Sequence, residues 1–326
     1  MKLAFIIDPI SRLDPGHDTS VALMEAAQSY GHEVWLTQAH QLSVIGGTAW
    51  ATLQQVQLTP VELVDGRWVA PPNWYQLSHG VLTCLEDMDA VFMRVDPPVT
   101  MRYLYATYIL ELINPEKTLV INSPQGLREA NEKMYTLQFH EVMPETIVSQ
   151  DKSIIRQFVE EKKYAVLKPL GGKAGEGILF LDPSDHNFNS IIEISTQHGL
   201  EPIMVQQYLP AAKDGDKRII VLDGEPIGAV NRVPTGSEFR GNMAVGGRVE
   251  KTEITERERE ICAVVGARLR EDGLYFVGLD VIGGYLTEVN VTSPTGIREI
   301  DRLNQGNLGK QVIEWLEKAV SLKNLQ

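Results

Sequence analysis

The chain has 326 residues, a net charge of −13, 43% apolar residues and 22% charged residues. That length exceeds one small core and suits two or three lobes of an ordinary soluble protein. The acidic balance excludes a broad nucleic-acid or polyanion surface, so an anionic substrate must be met by local cations. Two cysteines, Cys84 and Cys262, rule against a disulfide framework or a thiolate metal site and are expected as small core residues.

No run reaches the ~18 apolar residues that a membrane span needs. The opening MKLAFIIDP carries too short an apolar core for a secretory signal and is expected as a buried first strand, and a cytoplasmic protein is expected. LAFIID, a loop rich in Pro, Gly and Asp, the segment TSVALMEAAQSYG and then HEVWLTQ predict β-α-β. Asp18 or Thr19 is the helix cap and Gly31 the stop. AVFMRV is a further buried strand, MRYLYATYILELI a helix with an aromatic stripe, and LVINS another strand. Together they predict an open, mostly parallel sheet over residues 1–123. No GxGxxG follows LAFIID, so a dinucleotide is not bound there.

Asn122-Ser123-Pro124 marks a boundary. GLREANEKMYTLQF is expected as a helix, ETIVS and YAVLKP as strands, and DKSIIRQFVEEK as the helix between them. IMVQQYL and KRIIVLDGEPIGAVNRV continue as strands, the second turning at Asp223-Gly224. A helix begins at ITERERE and runs to about Arg270, and the last helix covers Lys310 to Lys323. The expected division is 1–123, 124–203 and 204–326, two α+β lobes following an α/β domain.

The most informative segment is FVGLDVIGGYLTEVN, which carries Asp280, Glu288 and Asn290. Leu279 and Val281 on one strand and Thr287, Val289 and Val291 on the other share an apolar face only if the loop is Gly283-Gly284-Tyr285, pairing Ile282 with Leu286. That register sets Asp280 opposite Glu288 with Asn290 beside them, because a one-residue slip moves every side chain across the sheet. Their oxygen donors suit Mg²⁺, with Mn²⁺ as an alternative, and Mg²⁺ commonly bridges to phosphate.

Other segments point the same way. Lys168 stands before LGGKAGEG, whose glycines let backbone N–H groups approach phosphates. Gln206 to Leu209 is expected as an inter-lobe linker able to meet an adenine edge. Arg218 and Arg232 fall at one end of a hairpin, as a carboxylate or phosphate clamp; a surface charge pair is the alternative for either alone. PTGSEFRGNMAVGGRVE is long enough for a lid that excludes water. Ser293 and Pro294 are expected to start a helix whose free N–H groups could take a carboxylate.

The order of these parts resembles the ATP-grasp superfamily of carboxylate–amine ligases. MRVDPP with YATYILE, NEKMYT, YLPAAKDGDKRI, RGNMAVGGR, FVGLDVIG and LTEVNVTSPTGIREI narrow the resemblance, nearly end to end, to the bacterial glutathione synthetase family. The resemblance implies ATP-dependent joining of γ-glutamylcysteine and glycine through an acyl phosphate. It implies Lys133, Lys168, Gly172, Gly175 and Asp216 around ATP, with the backbone of Gln206, Gln207, Tyr208 and Leu209 on adenine. It implies Asp280, Glu288 and Asn290 on magnesium, and Arg218 and Arg232 on the dipeptide and the transferring phosphoryl group. Arg240, Gly246 and Gly247 of the lid, and Thr292, Ser293 and Thr295, would meet substrate. A homotetramer is implied as well. The chain departs from the family's KPLDGxGG at Gly171 and Ala174, and adds Lys173. A ligase adding glutamate to a protein tail, and a non-catalytic nucleotide module on the same fold, are the competing readings.

Overall fold

The computed structural model describes residues 1–172, 175–235 and 247–323. The first lobe runs β1 (Lys2–Ile6), α1 (Thr19–Ser29), β2 (Glu33–Thr37), β3 (Leu42–Ile45), β4 (Thr48–Leu58), β5 (Glu62–Val64), β6 (Arg67–Val69), β7 (Tyr75–Leu77), β8 (Val81–Cys84), β9 (Ala90–Met93), α2 (Met101–Leu110) and β10 (Leu119–Ile121). The apolar runs pair in parallel in the order β10-β9-β1-β2. The sequence between residues 42 and 84 adds β3, β4, β7 and β8 antiparallel, which the expected parallel pattern passed over. Strands β5 and β6 stand apart as a hairpin. Asp18 caps α1 by accepting from the Val21 N–H, as its position before the helical run requires.

Helix α3 (Pro124–Glu129) is capped by Ser123 and ends there. The expected single helix through Phe139 is broken: Asn131 Oδ1 accepts from the Lys133 and Met134 N–H groups, and Met134–Phe139 follows as a 3₁₀ turn. An Asx-type bond of this kind competes with the helical ladder. Lys133 therefore leaves a turn and not the side of a helix.

The small lobe contains β11 (Thr146–Ser149), α4 (Lys152–Lys162), β12 (Ala165–Pro169), β13 (Leu179–Leu181), α5 (Phe188–Ser195) and β14 (Ile203–Gln207). Its antiparallel sheet has the order β11-β14-β12-β13. Gln206 and Gln207 lie inside β14 rather than in a linker, because both still pair with β12. The expected division at 203 coincides with the first residue of β14.

The last lobe follows with β15 (Asp216–Leu222), β16 (Glu225–Val233), β17 (Arg248–Lys251), α6 (Glu256–Glu271), β18 (Phe276–Ile282), β19 (Tyr285–Asn290), α7 (Ile297–Asn304) and α8 (Leu308–Lys323). Its sheet order is β17-β16-β15-β18-β19, all antiparallel. The small lobe keeps a separate core around Ile155, Phe188, Ile192 and Val205. The first and last lobes share theirs: Ala4 and Ile6 cluster with Ile219 and Leu279, and Phe5 and Phe92 with Ile220 and Ile313. Asn122 fastens the two, donating to the Phe276 and Val291 carbonyls and accepting from the Phe276 N–H.

Two local expectations are corrected here. The β18–β19 turn is Gly283-Gly284 alone, with Ile282 paired to Tyr285 and Val281 to Leu286. Both glycines have positive φ, +56° and +80°, which a two-residue hairpin turn of this hand requires. A bulge then places Thr287 as the extra residue, so Asp280 still faces Glu288. The helix after β19 starts at Ile297 with Gly296 as its cap, leaving Ser293, Pro294 and Thr295 in an irregular turn.

Candidate active site

Two connected hollows lie between the small lobe and the rest. The larger, about 340 Å³, is lined on one side by Lys133, Gly172, Gly175, Arg218, Arg232, Glu288, Asn290 and the Thr292–Thr295 turn. Its other wall comes from the first lobe: Arg12, Asp14, His17, Asp18 and Asp96. The smaller hollow is lined by Val166, Lys168, Gln206, Gln207, Tyr208, Leu209, Asp216, Asp280 and Thr287. Ile178 and Glu288 line both, so the hollows meet at Glu288.

The cations converge there. Lys133 Nζ lies 2.9 Å from Glu288 Oε1 and donates to the Gly172 carbonyl at 3.0 Å. Lys168 Nζ donates to Gln206 Oε1 at 2.9 Å and to the Thr287 carbonyl at 3.3 Å. Burial of the Lys168 ammonium lowers its pKa, against the opposing pull of Glu288 and Asp216. An anionic ligand in the hollow would relieve that cost.

On the last lobe, strands β15, β16 and β18 bring Arg218, Arg232 and Asp280 together. Arg218 grips Asp280 with two N–H groups, Nε to Oδ1 at 2.6 Å and a terminal N to Oδ2 at 3.2 Å. Arg232 reaches Asp280 Oδ1 at 3.0 Å and Asp216 Oδ2 at 2.7 Å. Burial pushes the Asp280 carboxyl up, but the two guanidinium charges outweigh it and hold it well below the usual range. Burial dominates at Asp216 and raises it, and its Oδ1 has no hydrogen-bond partner among the described residues. Gly278, two residues before Asp280 on β18, is glycine because a Cβ there would sit 2.9 Å from Pro294 Cβ and 3.1 Å from Arg218 Cδ. That close approach seats the Thr292–Thr295 turn against the arginine.

Most of the expected residues thus meet around one cleft. Asp280 faces Glu288 across the ladder, and Asn290 faces Gly278 and donates to its carbonyl through Nδ2. Arg240, Gly246 and Lys173 lie outside the described residues, as does most of the expected lid; Gly247 lies just before β17. No cluster of three or more His, Cys, Asp or Glu suited to a metal occurs among the described residues. The donor set here is two carboxylates and an amide oxygen. Glu288 opens to both hollows, and Asn290 commits its nitrogen to backbone, so hard-cation chemistry fits these residues.

The first-lobe wall was not foreseen, nor was Glu132. Glu132 Oε1 accepts from the Val291 N–H, the Thr292 N–H and Thr292 Oγ1, at 2.8, 3.0 and 2.9 Å. It pins the end of β19 beside Lys133. Arg12–Asp18 follows β1 and Asp96 follows β9, the C-terminal ends of adjacent parallel strands, where ligands gather in such sheets. That rule was the available signal.

Comparison with known proteins gives the family. Residues 1–128 match the N-terminal domain of prokaryotic glutathione synthetase, and residues 132–305 match its ATP-grasp domain. A glutathione synthetase of Synechocystis sp. is 70% identical over 318 residues, 98% of this chain and 99% of the relative. One of Nostoc sp. is 68% identical over 324 residues, 99% of this chain and 100% of the relative. Among solved structures, the D-cycloserine synthetase DcsG has a TM-score of 0.63 at 16% identity, covering 98% of this chain and 100% of its own. The ATP-grasp ligase PsnB, solved with a minimal precursor, Mg and ADP, has a TM-score of 0.62 at 16% identity, covering 98% of each chain. These two bear on the fold alone.

Proposed function

The chain belongs to the prokaryotic glutathione synthetase family, and from that premise we propose how its cleft performs ATP-dependent ligation of γ-glutamylcysteine and glycine to glutathione, ADP and phosphate. The observation that supports this most directly is the meeting of the two hollows at Glu288, with lysines on one side and the Arg218–Asp280–Arg232 cluster on the other.

ATP would lie with its adenine in the smaller hollow, against Val166 and the Gln206–Leu209 segment, and with Asp216 at its edge. Its phosphates would run towards Lys168, Lys133 and the backbone of Gly172 and Gly175. Lys133 and Lys168 stabilise the phosphate charge; each close opposite pair is worth about 4 kcal/mol at an effective dielectric of about 20. Asp280, Glu288 and Asn290 would hold magnesium, or manganese, which when bound draws the phosphate oxygens together and offsets their charge.

Arg218 and Arg232 face the larger hollow and would hold the cysteinyl carboxylate in line with the γ-phosphate. Carboxylate attack forms an acyl phosphate and ADP. The amine of glycine then attacks the acyl carbon and phosphate leaves. The same arginines stabilise charge building on the transferring group. Thr292, Ser293 and Thr295 would fix the substrate carboxylate, through a turn rather than a helix start. The lid from Pro234 to Gly247, with Arg240, Gly246 and Gly247, would keep water from the acyl phosphate.

We also propose that the enzyme works as a homotetramer in the cytoplasm. No described helix is long and apolar enough to cross a membrane. Met101, Tyr105 and Tyr108 form an apolar stripe along α2, 57%, 60% and 53% exposed, continued by Leu112 in the turn that follows, 42% exposed, which supports self-association. Light scattering on the eluted protein measures the mass.

The test of the reaction is ADP release across acceptors. γ-Glutamylcysteine with glycine should drive it, and glutamate with a peptide should not. Release that neither dipeptide nor glycine stimulates would sink this function.

A further inference from the structure

We propose that the first-lobe wall of the larger hollow recognises the free amino-acid head of the γ-glutamyl donor: Arg12 takes its α-carboxylate, and Asp18 with Asp96 takes its α-ammonium. This rests on the ligase reading above and assigns residues that it left without a role.

The cleft has two ends of different chemistry. At Glu288 it joins the nucleotide hollow, and the phosphate-facing lysines and arginines surround that end. The opposite wall belongs wholly to the loops after β1 and β9, at the carboxyl ends of neighbouring parallel strands. A donor whose cysteinyl carboxylate sits by Arg218 and Arg232 must extend its other end away from the nucleotide. The first lobe supplies what that end meets.

Both charge signs are present there. Among the described residues, no side chain pairs with the exposed Arg12 guanidinium, and none donates to the Asp96 carboxylate. Asp18 accepts from the Val21 N–H and opens to the hollow. Behind them lies Arg94, 4% exposed, which donates to Ser20 Oγ at 3.1 Å and to the Pro294 carbonyl at 2.9 Å. Its remaining terminal nitrogen has no partner. Asp18 and Asp96 beside one buried guanidinium, with Asp14 on the same wall, leave negative charge in excess, which a ligand ammonium offsets. A γ-linked glutamyl group differs from an ordinary acyl group in carrying a free amine and a free carboxylate on one carbon. One unpaired cation beside a net anion matches that pair.

The wall is held in place from the other lobe. Arg298, in the first turn of α7, donates to the Pro15 carbonyl at 3.1 Å and to Glu25 at 2.8 Å. Glu299 bonds His17, raising the His17 pKa chiefly through that hydrogen bond. Trp68 of the β5–β6 hairpin donates to the Arg298 carbonyl at 2.8 Å and lies under its guanidinium. Buried charges on α7 thus fix the loop before any ligand arrives, which lowers the ordering cost of recognition.

Steady-state KM for three donors decides the matter: γ-glutamylcysteine, glutaryl-cysteine, which lacks the α-amine, and 4-aminobutanoyl-cysteine, which lacks the α-carboxylate. Arg12→Met should raise the KM for γ-glutamylcysteine on the order of 10- to 100-fold, as for a lost charged hydrogen bond. It should match the parent enzyme on 4-aminobutanoyl-cysteine. Asp18→Asn keeps the helix cap and should lose on γ-glutamylcysteine while matching the parent on glutaryl-cysteine; Asp96→Asn is the second variant should Asp18→Asn misfold. Glycine and ATP KM values should stay within about twofold, well inside the loss of one such bond. Equal losses on all three donors, or a shift in glycine KM instead, would overturn the assignment. If the parent enzyme releases ADP with none of the donors, the ligase reading itself falls, and the assignment with it.

Discussion

Glu288 Oε1 lies 2.9 Å from Lys133 Nζ, joining β19 to the turn that precedes the small lobe. The contact brings an acidic group from a metal-suited ladder onto a lysine that also donates to the Gly172 carbonyl of the phosphate loop. Chemistry assembled from different lobes therefore passes through a single carboxylate.

Glu288→Gln keeps the shape and removes the charge. Turnover should fall on the order of 100-fold, as when one preorganised electrostatic group is lost. The urea midpoint should stay near the parent value, because the amide oxygen of the glutamine can still accept from the Lys133 ammonium. Near-normal ADP release in the variant would take Glu288 out of the mechanism.

Arg218→Ala should lose turnover and stability together. Its Asp280 partner is almost wholly buried, and breaking a buried pair from one side costs roughly 3–5 kcal/mol. Arg232 still reaches Asp280, which places the loss at the lower end. Arg218→Lys should recover part of the stability while turnover stays low, since an ammonium lacks the paired N–H geometry. Urea titration and ADP release measured on both variants separate the two effects; full activity in the lysine variant would count against the clamp.

Glu132→Ala strands the Val291 and Thr292 donors beside β19. Each buried donor left unpaired costs about 1–3 kcal/mol, so the urea midpoint should drop markedly and turnover with it. Glu132→Gln retains an acceptor oxygen and should lie much closer to the parent. Equal behaviour of the two would show that the hydrogen bonds do not hold the strand.

Asp301 gives a pH signature. Burial pushes its carboxyl up to about 6, while an unfolded aspartate titrates near 3.9 (about). Between those values the native state binds more protons, so stability from this group is fully present below about pH 4 and is lost as pH rises through about 6. Asp301→Asn keeps an acceptor for the Leu308 N–H, which Asp301 now caps at 2.8 Å. The variant should therefore unfold at higher urea than the parent at pH 7, with the gap closing by pH 4. A gap that does not change with pH would refute the titration.

Much was legible in local order. The strands LAFIID and AVFMRV, the cap at Asp18, the turn at Asp223-Gly224 and the facing of Asp280 with Glu288 all follow from apolar periodicity and turn chemistry, which act over a few residues. The Gly-Gly turn shows how the facing was right and its cause different. Alternation alone demanded a third loop residue, whereas the chain uses the shorter turn and spends the extra residue as a bulge at Thr287.

The amino-acid sequence by itself determined the elements, the oxygen-rich ladder and the family to which the chain belongs, because side-chain period and motif order are properties of the chain. Only the tertiary structure decided that Arg218 and Arg232 share Asp280, that Lys133 meets Glu288, and that the loop before Asp18 walls the cleft. Those contacts join residues far apart in the chain, 62 positions for Arg218 and Asp280 and 282 for His17 and Glu299. Their distances depend on how three sheets pack, and no local pattern encodes that.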